Sequence, residues 1–70
     1  MRLSARNQLN ATVDAVKHGE VMSTVTVSLP DGQRITAAIT KESAEELELA
    51  SGDGVVVVIK STEVMIAKPD

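Results

Sequence analysis

The sequence contains no cysteine and no phenylalanine, tyrosine or tryptophan. Without thiols, no disulfide can staple the fold and no thiolate metal site can form. Without aromatics, the core must be built from Val, Ile, Leu, Ala and Met. Seventy residues make one domain at most. A chain of this length buries only about 60% of its unfolded surface. Small scaffolds lacking disulfides or a structural metal usually find support elsewhere, and oligomerisation is the obvious route here. An excess of positive charge is also missing. Seven Lys and Arg stand against ten Asp and Glu, a formal net charge of −3. Nucleic-acid binders usually carry a basic patch or stripe, so no nucleic-acid partner is expected. No stretch is long enough for a membrane span and none reads as a signal-peptide core, so a cytoplasmic protein with no membrane partner is expected.

What the chain does have is alternation. Leu9, Ala11, Val13 and Ala15 fall on one side of an extended chain, with Asn10, Thr12 and Asp14 on the other. That period of two predicts a strand. Lys17-His18-Gly19-Glu20 predicts a turn, with Gly19 free to supply a positive φ. A second strand comes next: Val21, Ser23, Val25, Val27 and Leu29 face one way, and Met22, Thr24, Thr26 and Ser28 the other. Pro30-Asp31-Gly32 is a hairpin turn. The third strand runs to about Thr40, with Ile35, Ala37 and Ile39 on one face.

The period then changes. Ala44, Leu47 and Glu48 stand at helical spacing, and Ser43 followed by Glu46 matches a capping box. Glu42, Glu45 and Glu46 lie where the helix dipole favours acids. Ser51-Gly52-Asp53-Gly54 ends the helix. The run Val55 to Ile59 shows no alternation, which suggests burial on both faces, one against the core and one against a partner chain. Thr62 to Ala67 reads as a last strand. The layout is all-β: a five-stranded OB-like barrel with one short helix before the fourth strand, a single domain over residues 1–70.

Catalytic material is scarce. The single histidine, His18, stands in a turn, and no Ser/His/Asp set, metal-ligand cluster or phosphate-binding glycine loop can be assembled. An enzyme is not expected, nor a bare metal cation. The remaining candidates are donors at strand ends: Ser4 and Arg6, Thr40 and Ser43, Lys60 and Ser61. Ser4 and Arg6 are two apart, hence on the same face if the chain is extended there. Arg offers a fork of donors, Lys a point charge, Ser and Thr neutral hydroxyls. A helix start adds free backbone N–H groups. Together these suit a small tetrahedral oxyanion. Taken singly, Ser43 reads as a helix cap and Lys60 as a solvated strand end.

SARNQL at 4–9, GEVMSTV at 19–25, AAIT at 37–40, SAEELEL at 43–49 and VVVVIKSTEVMIA at 55–67 resemble the molbindins, small proteins made of one Mop (TOBE-type) domain. The resemblance covers nearly the whole chain. It implies an OB-like barrel, and a homo-oligomer, a hexamer built as a trimer of dimers with strands exchanged between partners. It also implies molybdate or tungstate bound between subunits for storage and homeostasis. The family's main oxyanion site maps to Ser4, Arg6, Thr40, Ser43, Lys60 and Ser61. A second kind of site maps near His18, Gly19, Glu20 and Val21. Two departures stand out. Glu20 sets a carboxylate near a dianion, so it should point away or hold a cation. Leu47-Glu48-Leu49 stands where Leu-Gly-Leu is common, at the end of the helix.

Two other classes compete. ITKESAEELELASGDGVVVVIK resembles the strand, helix and Gly-Asp turn of AbrB-like swapped-hairpin DNA-binding factors. Against that, the helix is acidic, whereas phosphate contact needs Lys and Arg. The third is a regulatory domain detached from a transporter or repressor. A chain running from Met1 to Asp70 without a linker suits a free-standing protein better.

Overall fold

The computed structural model describes all 70 residues, Met1 to Asp70. Its elements in chain order are β1 (Asn7–His18), β2 (Met22–Ser28), β3 (Arg34–Thr40), α1 (Lys41–Glu46), β4 (Gly54–Ile59) and a short 3-10 turn (Ser61–Glu63). The four strands form one antiparallel sheet in the order β3-β2-β1-β4. The sheet curls, so residues from all four strands, with Leu47 and Leu49, line one apolar hollow of about 220 Å³. Its closed centre is Ala11, Val13, Val25 and Val27, with Val16, Ile35, Ile39 and Val57 among the residues packed against it.

The sheet has four strands, not the expected five. Thr62 and Glu63 belong to the 3-10 turn, closed by Glu63 N–H donating to the Lys60 carbonyl at 2.9 Å. Val64 resumes an extended backbone (φ −82°, ψ 130°), but no strand of the chain lies beside it. A strand is defined by ladder bonds to a neighbour. Here the turn carries the tail off the sheet, and Met65 and Ile66 are each 91% exposed.

The β1 alternation breaks once. Val13 pairs with Val27 and Ala15 pairs with Thr26, so Asp14 is an extra residue in the ladder. The bulge moves Val16 onto the core side and leaves Ala15 exposed, reversing the expected face for Ala15. The 50–53 loop docks at this point: Gly52 N–H donates to the Val13 carbonyl and Val13 N–H donates to the Asp53 carbonyl, both at 2.8 Å.

β4 does alternate in its surroundings. Val55, Val57 and Ile59 face the core side, while Val56 and Val58 are 41% and 43% exposed. Within one chain only the inner face of the Val run is covered. β3 and β4 are both open edges.

Gly19 is needed for a different reason from the expected one. Its φ is not positive; its N–H donates to the Met22 carbonyl at 2.7 Å, and a Cβ there would stand 2.8 Å from that oxygen. The positive φ values fall at Gly32 and Gly52, and at Glu48 (φ 51°).

The helix cap is Thr40 rather than Ser43. The Thr40 hydroxyl accepts from Ser43 N–H at 3.1 Å, which places Ser43 inside the first turn. At the other end Glu48 N–H donates to the Glu45 carbonyl at 3.0 Å and Leu49 N–H to the Ala44 carbonyl at 3.2 Å. That bond pair is a Schellman motif, with Glu48 at the left-handed position usually held by glycine. Leu49 swings back onto the core near buried Ala44.

Candidate functional site

The donors expected to act together stand at two ends of β1. At its start, Asn7 faces Ile59 on the first rung of the β1–β4 ladder. The Asn7 amide donates to the Ile59 carbonyl at 3.2 Å and ties the two strand ends together. Arg6 precedes Asn7 and Lys60 follows Ile59, so the two cations flank the same rung. Ser61 opens the 3-10 turn immediately after. Ser4 and Arg6 lie in bends before β1, not on an extended chain, so they do not share a face through strand alternation. Gln8 Nε2 donates to the Ala5 carbonyl at 2.9 Å and steadies this lead-in. Ser4, Arg6, Lys60 and Ser61 are all exposed. Neither cation is paired with a carboxylate, since the one ion pair in the chain joins Arg34 to Asp14 at 3.8 Å.

Thr40 and Ser43 lie at the far end. Thr40 pairs with Met22 and Ser23 pairs with His18, so the start of α1 sits over the β1–β2 corner. Lys41 N–H donates to the Val21 carbonyl at 2.7 Å, locking the helix start to that corner. The Thr40 hydroxyl donates to Ser43 Oγ at 2.7 Å, which leaves the Ser43 hydroxyl hydrogen as the free donor of the pair. An open cleft of about 530 Å³ lies alongside, lined by Glu20, Val21, Thr40, Lys41, Glu42, Glu45 and Glu46.

The structure therefore divides the expected main site. Ser4, Arg6, Lys60 and Ser61 gather at one pole. Thr40 and Ser43 gather at the other, beside Gly19, Glu20 and Val21 of the expected second site. The twelve residues of β1 separate the poles, about 36 Å along the strand. The electrostatics divide too. One pole holds two unpaired cations; the other sets four carboxylates against Lys41. Glu20 lines the cleft together with Lys41. His18 has its Nδ1 2.7 Å from Ser23 Oγ, so that nitrogen is already engaged within the chain. No group of three or more His, Asp or Glu gathers to hold a bare cation. No helix is long and apolar enough to cross a membrane.

Two residues of this region were not singled out from the sequence. Lys41 is the cation of the acidic cleft. Ser23 is the only buried polar side chain. Its signal was visible: it is the one hydroxyl on an otherwise apolar face of Val21, Val25, Val27 and Leu29.

Comparison with known proteins places this fold. The TOBE domain model matches residues 3–66. Molybdenum-pterin-binding protein 3 of Clostridium pasteurianum is 44% identical over 66 residues, covering 94% of this chain and 97% of that protein. A molybdate-binding protein from Sporomusa ovata superposes with a TM-score of 0.92 at 38% identity, over 97% of this chain and 100% of that one. The cytoplasmic molybdate-binding protein ModG, in a form with molybdate bound, superposes with a TM-score of 0.83 at 44% identity, over 87% of this chain and 43% of that one. The curled four-stranded sheet with its one short helix is thus that of a small TOBE-type domain. The chain belongs to the TOBE domain family, as its molbindin resemblance implied.

Proposed function

We propose that this chain binds molybdate, and the chemically similar tungstate, at interfaces between copies of itself, and that it stores and buffers the oxyanion in the cytoplasm. It is a binding protein, not an enzyme. The observation that carries this reading is the separation of the donors. Arg6 and Lys60 hold unpaired charge at one pole, and Thr40 and Ser43 hold hydroxyls at the other, so one copy's cationic pole seated on the next copy's hydroxyl pole completes the set. The molybdate-binding relatives supply the ligand chemistry.

Molybdate is a dianion at neutral pH, and burying it without compensation would be prohibitive. Arg6 and Lys60 offset its charge. Ser4, Ser61, Thr40 and Ser43 fix its oxygens, with backbone N–H groups nearby. Charge-assisted bonds of this kind are roughly twice as strong as neutral ones. Sulfate has the same charge and a smaller tetrahedron, so it stretches the donors and binds weakly.

The assembly is a homo-oligomer, a hexamer built as a trimer of dimers. Two observations support an obligate assembly. The outer Val56 and Val58 and the tail residues Met65 and Ile66 are exposed apolar surface, and β3 and β4 are open edges that a tail from another copy can extend. Because the anion sits between copies, it stabilises the oligomer by mass action.

Calorimetric titration with molybdate, with sulfate in parallel, tests the reading. Tight, saturable molybdate heat with little sulfate response is expected. Equal responses to both anions, or none to either, would remove it.

A further inference from the structure

Behind the proposed hydroxyl pole lies one buried serine, Ser23. Ser23 is 1% exposed, and its hydroxyl lies in the sheet interior. The partner of that hydroxyl is His18 Nδ1, at 2.7 Å. A buried hydroxyl without a partner is costly, and this bond spans the last rung of the β1–β2 ladder. Everything on the hydroxyl pole is built from that rung. Ser23 pairs on its other side with Ile39, and the next pair is Met22 with Thr40. Between His18 and Met22 the chain turns through Gly19, whose N–H is held by the Met22 carbonyl. The Val21 carbonyl then receives the Lys41 N–H at 2.7 Å. Lys41 is the first residue of α1, and Thr40 is its cap.

We infer that His18 is a positioning residue for the oxyanion site: through Ser23 it holds the β1–β2 corner, and the corner sets where the Thr40 and Ser43 hydroxyls stand. This rests on the molybdate reading above, and it changes the part expected for His18 from a group at a second anion site to a support behind the first. The His18 ring nitrogen that remains free of the Ser23 bond is Nε2. Nδ1 is the one with structural work, and an asparagine amide attached at the same branch point can reproduce its bond to Ser23.

The test uses three variants of the full chain: Ser23→Ala, His18→Ala and His18→Asn. Ser23→Ala is nearly isosteric and leaves no orphaned hydroxyl, so it removes the link while the sheet still folds. Two readouts are taken: molybdate affinity by calorimetry, and hydrogen exchange at the Lys41 amide without any anion. The inference expects Ser23→Ala and His18→Ala to bind molybdate at least several-fold more weakly. It expects faster Lys41 exchange in both, with both readouts restored in His18→Asn. A merely structural role would lower the unfolding midpoint of His18→Ala but leave affinity and Lys41 exchange in Ser23→Ala at wild-type values, and that result would overturn the inference. If wild-type protein gave no molybdate heat, the molybdate reading would fall. The exchange readout would then decide whether His18 holds the corner.

Discussion

Asn7 and Ile59 face each other on the rung where β1 and β4 begin to pair, and the Asn7 amide closes that rung through the Ile59 carbonyl at 3.2 Å. Arg6 and Lys60 extend from either side of it. Both are exposed and lack carboxylate partners, so neither contributes much to folding. Arg6→Ala and Lys60→Ala should each shift stability by no more than about 0.5 kcal/mol. Each should still cost molybdate affinity on the order of a hundredfold, because a dianion loses a charge-assisted donor. Urea unfolding and calorimetry on the same preparations check both halves. Wild-type affinity in both variants would sink the site assignment.

The division of the donors between two poles makes a sharper prediction. Arg6→Ala damages one pole and Thr40→Ala the other. Each variant alone should bind poorly. Co-expressed, they form mixed interfaces in which the intact cationic pole of one chain meets the intact hydroxyl pole of the other. A fraction of tight sites should return, measurable as molybdate bound per chain. If the site lay within one chain, mixing would restore nothing.

The exposed tail makes a prediction about assembly. Met65 and Ile66 are almost fully exposed within the chain and touch little of its own core. Replacing both with Glu should leave the curled sheet intact but block the tail from joining another copy. Light scattering should then report a species smaller than the wild-type oligomer, with molybdate binding lost in parallel. An unchanged mass would exclude the tail from the interface.

Glu48 occupies the left-handed position of the Schellman motif, at φ 51°. A side chain there is strained, whereas glycine is not. Glu48→Gly should raise stability by about 0.5–1 kcal/mol. That corresponds to a few degrees in Tm at fixed protein concentration. Asn should give part of the gain. A Tm decrease with either residue would mean that the Glu48 side chain makes a favourable contact elsewhere.

How much of this was legible in the sequence varied by element. β2 and β3 were readable because Val25, Val27, Ile35 and Ile39 keep a strict alternation that burial requires. β1 was readable as a strand but not in its phase beyond Val13. Ala15 continues the apolar alternation on paper, and nothing in Asp14 marks it as an extra residue. The tail from Thr62 to Ala67 has strand composition, but a strand also needs a neighbour, and none lies within this chain. The helix start offered two hydroxyls three apart, Thr40 and Ser43. Only the backbone, extended at Thr40 (φ −66°, ψ 147°), decides which one is the cap. The donor residues were legible as types: Arg6, Lys60 and four hydroxyls stand at or near element ends. Their grouping was not, because linear spacing says nothing about which ends of a bent sheet lie together. His18 was noticed for its chemistry, while the partner of its Nδ1, Ser23, is buried five residues away in sequence.

The bulge in β1 has a consequence for how the chain can change length. Downstream of Val13 the paired residues are Ala15 with Thr26 and Val16 with Val25. Asp14 stands outside that count. Removing Asp14 leaves Val13, Ala15 and Val16 in an unbroken in-out-in parity with the same partners as before. Removing a residue between Ala15 and His18 instead inverts the parity of the rest of the strand and slides its His18 end out of step with Ser23. Asp14 is therefore the one place in the second half of β1 where a single-residue deletion is in frame with the sheet. The chain would lose the bend there and the Asp14 contacts to Ser28 and Arg34, and not the pairing itself.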